Sequence, residues 1–364
     1  MSAGAGFGFG VPLVTPVDAR GEVDFPATRK FWDHMLPLVD VPVILGTTGR
    51  GRFILNQDLS QAKVLVDLGI ELAKTHGKPL VVGTGAETLA RAVDLTEYAA
   101  ERGVFGVLVT APVYASSPFA QSLARSPLAP VYQARLAEGY FLKVLDAIPR
   151  GSKTLFLPYI FPTLTDADPR TYLRPEILDL LRQEAEKTGR SMDGGKLTLR
   201  DDTVPLEYAT ACPELSFLAG MDTTVQAYLA DPRLKFGGAI LGSGNLIPGF
   251  LRTHVHDCLY LRELRSSDPA SEEVKLLTRK TLSQQNQVSA LFNLLWESGL
   301  FGHLIHAFLG LGSPYQATRA SSDELSAWAR VIAADAPGLA QEIASYCPES
   351  PQSRELLKHV PPGR

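Results

Sequence analysis

Short apolar runs alternate along this chain with longer stretches in which apolar residues recur at helical spacing. The apolar runs cover residues 11–15, 41–45, 80–82, 106–110, 154–159, 194–198, 215–219 and 239–241. Between residues 62 and 73, small or apolar positions recur at offsets of 3, 4, 7, 10 and 11, which is the stripe of an amphipathic helix. The pattern therefore predicts strands alternating with helices.

Strand–helix alternation indicates a parallel sheet with right-handed crossovers. Strands that are apolar along their whole length suit a sheet covered on both faces. The pattern repeats eight times and its last helix is expected near residues 248–264. Eight units favour a closed (β/α)8 TIM barrel, an α/β fold, over an open sheet.

About a hundred residues follow the eighth unit. We expect a barrel over residues 1–264, a C-terminal helical extension over 265–347 and a frayed tail over 348–364. Helices are predicted at 272–295, 300–309 and 323–344. Residues 115–130, rich in Ser, Pro and Ala, and the polar residues 182–193 are expected to be insertions.

Composition limits the class of protein. The chain is 45% apolar and 20% charged with a net charge of −4, and it lacks the basic patches of a nucleic-acid-binding protein. The three cysteines, Cys212, Cys258 and Cys347, are widely spaced, which argues against a disulfide framework and favours a reducing, cytoplasmic setting. No segment approaches the ~20 apolar residues of a membrane span, and the N-terminus lacks a charged signal-peptide region, so no membrane association is expected.

Polar and glycine residues follow most of the predicted strands. In a barrel, catalytic groups lie at these carboxyl ends. The segments are Gly46–Thr47–Thr48–Gly49, Gly83–Thr84–Gly85, Thr110–Ala111–Pro112–Val113–Tyr114, Pro158–Tyr159–Ile160–Phe161–Pro162, Gly194–Gly195–Lys196, Gly220–Met221–Asp222 and Gly242–Ser243–Gly244–Asn245. Hydroxyl groups and one lysine are therefore expected to converge on one rim.

Lys196 admits two interpretations. An amine buried in an apolar strand favours its neutral form, which is a nucleophile toward ketones and supports Schiff-base chemistry. Alternatively, Lys196 is a surface residue of a polar loop, because Arg190, Asp193 and Asp201 are nearby in sequence. The local sequence alone favours the surface interpretation.

The other polar candidates are equally open. Thr47 and Thr48 are either ordinary turn residues or donors to a substrate carboxylate, and Tyr114 and Tyr159 are either core aromatics or site residues. No metal site is expected. His254 and His256 fall on different helix faces, and the pair at 303 and 306 lacks nearby ligands to complete a zinc set.

Several segments together resemble a known family. They are Gly46–Thr47–Thr48–Gly49, the stretch VVGTGAETLARAVDLTEYAAERGVFGVLVTAPVY, Tyr159–Ile160–Phe161–Pro162, Gly195–Lys196, FLAGMDTTVQAYL and GGAILGSGNLIP. In this order, over roughly residues 7–260, they resemble the dihydrodipicolinate synthase / N-acetylneuraminate lyase family of pyruvate-dependent class I aldolases. The lysine segment is the least specific of them.

The resemblance implies catalytic roles for four residues. Lys196 falls at the family's Schiff-base lysine, and Tyr159 at the tyrosine that relays protons to and from the substrate. Thr47 aligns with the threonine that links this tyrosine to a second one. The second tyrosine matches Tyr114, which in the family enters the site of a neighbouring subunit, so a homodimer or homotetramer is expected.

Three further positions match the family's substrate-binding residues. Thr48, with the backbone around Thr47 that includes Gly46, is implied to hold the carboxylate of pyruvate. The main chain at Ile240 is implied to line the pocket beside the lysine. The family requires neither a metal nor an organic cofactor, and none is expected here.

The sequence also departs from the family pattern. Arg50 stands where the family usually has an acidic residue, and Leu197 replaces an acid that often follows the lysine. Pro162 is followed by Thr163 and Leu164, so the arginine with which dihydrodipicolinate synthases bind a second carboxylate is missing. This feature resembles the neuraminate lyase branch and argues against lysine biosynthesis.

The resemblance implies a Schiff-base lyase or aldolase that joins pyruvate to an aldehyde or cleaves a 2-oxo acid. Two alternatives stay open. One is a dehydratase that acts on a 2-oxo sugar acid through the same imine. The other is a non-catalytic 2-oxo-acid-binding protein on the same scaffold. The aldehyde and the net direction are not determined by these residues.

Overall fold

The structure is a computed structural model. It describes residues 6–18, 20–112, 122, 126–161, 173–199, 204–297, 329–330, 332–333, 337–346 and 351–359. Tyr114, Leu164, Cys347 and most of the 115–130 insertion lie outside the described residues, as do Asp201 and His303.

Eight parallel strands close into a barrel in which β1 pairs with both β2 and β8. They are β1 Gly8–Pro12, β2 Val41–Ile44, β3 Val81–Gly83, β4 Gly106–Thr110, β5 Leu155–Ile160, β6 Lys196–Leu197, β7 Phe217–Ala219 and β8 Phe236–Ile240. Each strand pairs with the next along the chain. The predicted (β/α)8 barrel is therefore confirmed.

Helices separate the strands and continue after the last one. The helices of the barrel are α1 Phe25–Met35, α2 Gly51–Gln57, α3 Leu59–Thr75, α4 Leu89–Glu101, α5 Ala129–Leu136, α6 Leu142–Asp146, α7 Pro175–Lys187, α8 Val204–Ala211, α9 Val225–Leu229 and α10 Pro248–Ser267. Those that follow are α11 Glu272–Glu297, α12 Pro337–Tyr346 and α13 Pro351–His359. The single helix predicted at 133–148 is instead α5 and α6 joined by a π-helical turn, Ala137–Phe141.

The first and last strands differ from their predicted ranges because glycines within them interrupt the apolar pattern. β1 begins at Gly8 rather than residue 11, and a Cβ at Gly10 would lie 3.1 Å from Cγ1 of Ile240 in β8. Leu13 and Val14 are buried after the strand has ended. Their apolar character therefore reflects burial and not strand structure.

The strands are buried on both faces, as their continuous apolar character predicted. Inside the barrel lies a cluster that includes Val43, Leu108, Leu157, Tyr159 and Ile240. Alternate residues, such as Ile44 and Val109, face the larger layer between strands and helices. The barrel interior is thus a packed core, and chemistry is confined to its ends.

The described C-terminal helices pack against α10, the turn after β7 and one another. α11 contacts α10 and the 3-10 turn Asp222–Thr224 that follows β7. The helix α13 lies where a frayed tail was expected, and it packs on α12 with Leu356 fully buried. An apolar residue with a partner to pack against offsets the entropy of ordering the tail. The division between barrel and extension stays a prediction.

Within the described residues, Cys212 and Cys258 are buried free thiols. No cluster of three or more potential metal ligands occurs in the same part of the chain. Among the described helices, none combines the length and apolar character needed to cross a membrane.

Candidate active site

Lys196 opens β6, at the carboxyl end of the barrel, and its side chain is buried. Only 5% of the residue is exposed, so the surface interpretation favoured by the local sequence is wrong. Two glycines precede it because neighbouring backbone lies close: a Cβ at Gly194 would lie 1.7 Å from the carbonyl oxygen of Ser216. The two glycines therefore allow the chain to pass close to its neighbours, and the lysine that follows is buried in the barrel.

Tyr159 is the nearest functional neighbour of Lys196. The two residues are register partners between β5 and β6, and Nζ of Lys196 lies 3.1 Å from the Tyr159 hydroxyl and 4.2 Å from the ring centroid. The hydroxyl of Thr198 donates to the same phenolic oxygen at 3.1 Å. A proton carrier is thus held within hydrogen-bonding distance of the amine.

Burial controls the protonation of the amine. Desolvation lowers the pKa of Lys196 from 10.5 to about 7, and the charge of Asp222 partly opposes this shift. At neutral pH a large fraction of the amine is therefore uncharged. An uncharged amine is the form that attacks a carbonyl carbon.

Asp222 is the second ionisable group at this end of the barrel. It follows β7, is 2% exposed, and accepts a hydrogen bond from the backbone N–H of Ser243 at 3.1 Å. Burial raises the pKa of Asp222, while the Ser243 hydrogen bonds and the charge of Lys196 oppose the rise. Sequence reasoning noted Asp222 at a strand end but gave it no role, since one aspartate there is an unspecific signal.

A cavity of about 250 Å³ connects these groups. It contains Lys196 and Tyr159 together with both threonines predicted from the first motif. Its lining residues are Thr47, Thr48, Arg50, Tyr159, Phe161, Lys196, Thr198, Gly220, Met221, Asp222, Gly242, Phe292 and Trp296. The structure thus brings together four of the predicted site residues.

The loop that carries the threonines is tightly wound. Leu45 and Arg50, on either side of the Gly-Thr-Thr-Gly motif, have left-handed backbone conformations with φ of 54° and 60°. Glycine is required at residue 49, where a Cβ would lie 2.2 Å from the carbonyl oxygen of Leu13. The N–H of Gly51 closes the loop onto the Gly46 carbonyl at 3.0 Å. Strain of this kind is concentrated at functional sites.

Two of the other predicted residues are described but do not line this cavity. Ile240 ends β8 and Gly46 follows β2; both are buried, but neither is among the described residues that line the cavity. Tyr114 lies outside the described residues. The predicted roles of these three positions stay predictions.

Arg50 brings a cation to the threonine side of the cavity. It also lines an adjoining, more open cavity that contains Arg52 and Glu87. Arg52 pairs with Glu87 at 2.6 Å and donates to the carbonyl of Ala111, also at 2.6 Å. Arg50, the departure from the family pattern, is therefore part of the site.

The C-terminal helix α11 completes the wall of the cavity. Phe292 and Trp296 stack with their ring centroids 5.6 Å apart and an interplanar angle of 21°. On the same helix, the side-chain amide of Gln285 donates to the main-chain oxygen of Asp222. Sequence reasoning placed this helix in an extension and assigned it no site residue, because its apolar stripe resembles that of any packed helix.

The fold and site define a TIM barrel built around a buried, partly neutral lysine. Residues 7–124 match the sequence model of the dihydrodipicolinate synthetase family. The resemblance found in the motifs is therefore confirmed. A 4-hydroxy-tetrahydrodipicolinate synthase from Saccharophagus degradans is 34% identical over 107 residues, which are 29% of this chain and 35% of that protein. The chain spans about a third to a half of the length of the curated relatives it matches.

Solved structures share the fold over most of the chain. One is a prophage protein of the dihydrodipicolinic acid synthase family from E. coli K12 in complex with pyruvate. It is 20% identical with a TM-score of 0.64, and the match covers 90% of this chain and 96% of that one. Another is the N-acetylneuraminate lyase from Fusobacterium nucleatum, 18% identical with a TM-score of 0.65, covering 89% and 97%.

Proposed function

We propose that this protein is a class I aldolase: a lyase that forms or cleaves a 2-oxo acid, with pyruvate and an aldehyde as the two fragments. The observation that carries the proposal is the buried Lys196 amine, whose Nζ lies 3.1 Å from the Tyr159 hydroxyl. The family match over residues 7–124 and the pyruvate in a structural relative support it.

In the proposed reaction, Nζ of Lys196 adds to the keto carbon of pyruvate. The resulting carbinolamine takes up a proton at its hydroxyl group and loses water, which leaves a cationic imine. The imine withdraws electrons, so C3 loses a proton and an enamine forms. The enamine carbon then attacks the aldehyde carbon, the alkoxide takes a proton, and water releases the product acid from the lysine. The reverse sequence cleaves the same bond.

Tyr159 is proposed to carry the protons in these steps, since a positioned acid–base group contributes roughly 10²–10⁴-fold to such a rate. Thr47 and Thr48, with the Gly46 backbone, are proposed to bind the carboxylate of the 2-oxo acid. Arg50 adds a cation at the same side of the cavity. The carboxylate would then be held beside the threonines, with the adjoining keto carbon directed toward Lys196.

Four predicted features remain part of the proposal. The main chain at Ile240 is proposed to lie beside the imine, and Tyr114 to complete the proton relay from a neighbouring subunit. The protein would accordingly act as a homodimer or homotetramer, in the cytoplasm. A dehydratase reaction on a 2-oxo sugar acid would use the same imine and differ only in the bond that breaks.

Trapping with borohydride tests the proposal. Incubation with pyruvate and borohydride should add one pyruvate-derived mass per chain, on the peptide that contains Lys196. The exposed lysines Lys153 and Lys235 provide internal controls. An adduct on either of them, or none at all, would contradict the proposed chemistry. Product analysis with candidate acids then separates carbon–carbon cleavage from dehydration.

A further inference from the structure

A single side-chain amide on the C-terminal helix holds the turn that carries Asp222. Nε2 of Gln285 donates to the main-chain oxygen of Asp222 at 2.9 Å, and Oε1 accepts the N–H of Gln226 at 2.8 Å. These two bonds fix the turn after β7 and the beginning of α9. Gln285 thus joins the extension to the rim of the barrel.

Gln285 is itself held in place by buried groups. Nε2 of His254, on α10, lies 3.2 Å from Oε1 of Gln285, and Nε2 of Gln285 also reaches the hydroxyl of Ser289 at 3.1 Å. His254 is fully buried, and this burial lowers its pKa, so the imidazole is neutral near pH 7. An amide held on several sides in a dry environment has little freedom to move.

Gln285 holds the main chain of Asp222, and the N–H of Ser243 holds its carboxylate. Asp222 lines the cavity that contains Lys196. The imine at Lys196 carries a positive charge for as long as it exists. A buried cation is costly unless a negative charge lies nearby. Apart from Lys196, the titratable or charged groups among the described lining residues are Tyr159 from β5, Asp222 after β7 and Arg50 after β2.

Asp222 is the one carboxylate among the described residues that line this cavity. We propose that Gln285 is a positioning residue: by holding the turn after β7, it keeps the Asp222 carboxylate where it stabilises the cationic imine on Lys196. This inference rests on the proposed imine chemistry. It makes the helical extension part of the catalytic apparatus, because Gln285 acts on Asp222 through the turn after β7.

The neighbouring glutamine provides a matched control. Gln284 is equally buried and also contacts His254, but its amide donates to Asp257 and makes no contact with Asp222. Gln285→Met and Gln284→Met therefore remove the same group from adjacent positions of one helix. Asp222→Asn is the reference variant, because it removes the charge itself.

The experiment is pyruvate and borohydride trapping over a range of pyruvate concentrations and pH values, with thermal unfolding measured in parallel. In Asp222→Asn, the pyruvate concentration that gives half-maximal trapping should rise at least fivefold, because the imine loses its counter-charge. The acidic limb of the pH profile should move to lower pH, because the ammonium form of Lys196 loses the same stabilisation. A merely structural defect would not produce this pair of shifts.

Gln285→Met should show both shifts in smaller degree, and Gln284→Met should stay within twofold of the wild-type protein. If Gln285→Met behaves like Gln284→Met at comparable thermal stability, the inference is overturned. If Gln285→Met does not fold, Gln285→Asn replaces it in the comparison with Gln284→Met. The asparagine side chain is one methylene shorter, so its amide no longer reaches the Asp222 turn. A wild-type protein that forms no adduct contradicts the proposed function itself. A wild-type adduct with an unaltered Asp222→Asn variant contradicts the counter-charge role of Asp222, and one with only Gln285→Met unaltered contradicts the role of Gln285.

Discussion

The Tyr159 hydroxyl and the Lys196 amine lie 3.1 Å apart because their residues are register partners on adjacent parallel strands. Main-chain pairing of the two strands therefore sets their separation. Such a position on strands gives a site higher precision than loops would. This pair and the burial around it control the reactivity of the amine.

The rate of imine formation should follow the ionisation of Lys196. Burial lowers the pKa of this amine to about 7, so the neutral nucleophile becomes the main form as pH rises through that value. Initial rates of pyruvate trapping should rise with pH and reach half of their maximum near pH 7. A rate that continues to rise toward pH 10, as for an ordinary lysine, would contradict the proposed burial effect.

Replacing Lys196 should stabilise the fold at neutral pH. Folding lowers the pKa of Lys196 from 10.5 to about 7. At pH 7 the unfolded chain therefore binds the proton more tightly than the folded chain does, and this difference destabilises the folded state. Lys196→Met removes that cost, which amounts to a few kcal/mol at ~1.4 kcal/mol per pKa unit.

The sign of the effect fixes its pH window. The stability gained by Lys196→Met should be largest at pH 7 and below, shrink as pH rises, and vanish above 10.5, where both states leave the lysine neutral. Urea unfolding of both proteins at pH 7 and pH 10.5 measures the difference. An equal gain at the two pH values would point to packing instead of charge.

Tyr159→Phe should separate imine formation from turnover. The variant retains the ring beside Lys196 and loses the hydroxyl, so pyruvate trapping should persist while the carbon–carbon reaction slows by roughly 10²–10⁴-fold. Steady-state kinetics with a cleavable 2-oxo acid, combined with trapping, provide the measurement.

A buried tyrosine outside the cavity provides the control for that variant. The Tyr228 hydroxyl donates to the carbonyl oxygen of Leu199 at 3.2 Å and takes no part in the cavity lining. Tyr228→Phe should lower stability without a comparable loss of turnover. If the two variants lose activity to the same extent, Tyr159 has no special role in proton transfer.

Aspartate semialdehyde should be a poor acceptor. Leu164 stands where dihydrodipicolinate synthases have an arginine for the second carboxylate, and leucine cannot replace a bidentate, charged contact. Coupled assays with pyruvate should show turnover far below biosynthetic rates; rapid turnover would refute the specificity argument.

Activity should depend on a two-fold contact between subunits. Tyr114 matches a family tyrosine that crosses such a contact, so the relay from Thr47 and Tyr159 would be incomplete in a monomer. Sedimentation should detect at least a dimer at working concentration. Tyr114→Phe should lower turnover without dissociating the protein.

The alternative for Tyr114 is that it packs against its own 115–130 insertion. That segment is long enough to cover the site within one chain. In that case, Tyr114→Phe would impair a monomer as much as an oligomer. A fully active monomer would therefore rule out the subunit contact.

The barrel could be predicted from the sequence alone, because strands buried on both faces are apolar at every position and helices show one apolar stripe. The sequence also determined where the threonine loop lies, since a Gly-Thr-Thr-Gly motif directly after a buried strand falls on the catalytic rim. It misplaced the ends of β1 and β8, because Gly8, Gly10 and Gly238 permit close strand contacts without an apolar signal.

The environment of Lys196, in contrast, depends on contacts between distant parts of the chain. The polar residues before Lys196 indicated a surface loop, whereas neighbouring strands bury the side chain and lower its pKa. Asp222 and Gln285 meet across 63 positions of the chain, and neither has a distinctive local pattern. Such contacts arise when the extension packs on the barrel rim, and no periodicity of the sequence encodes that long-range packing.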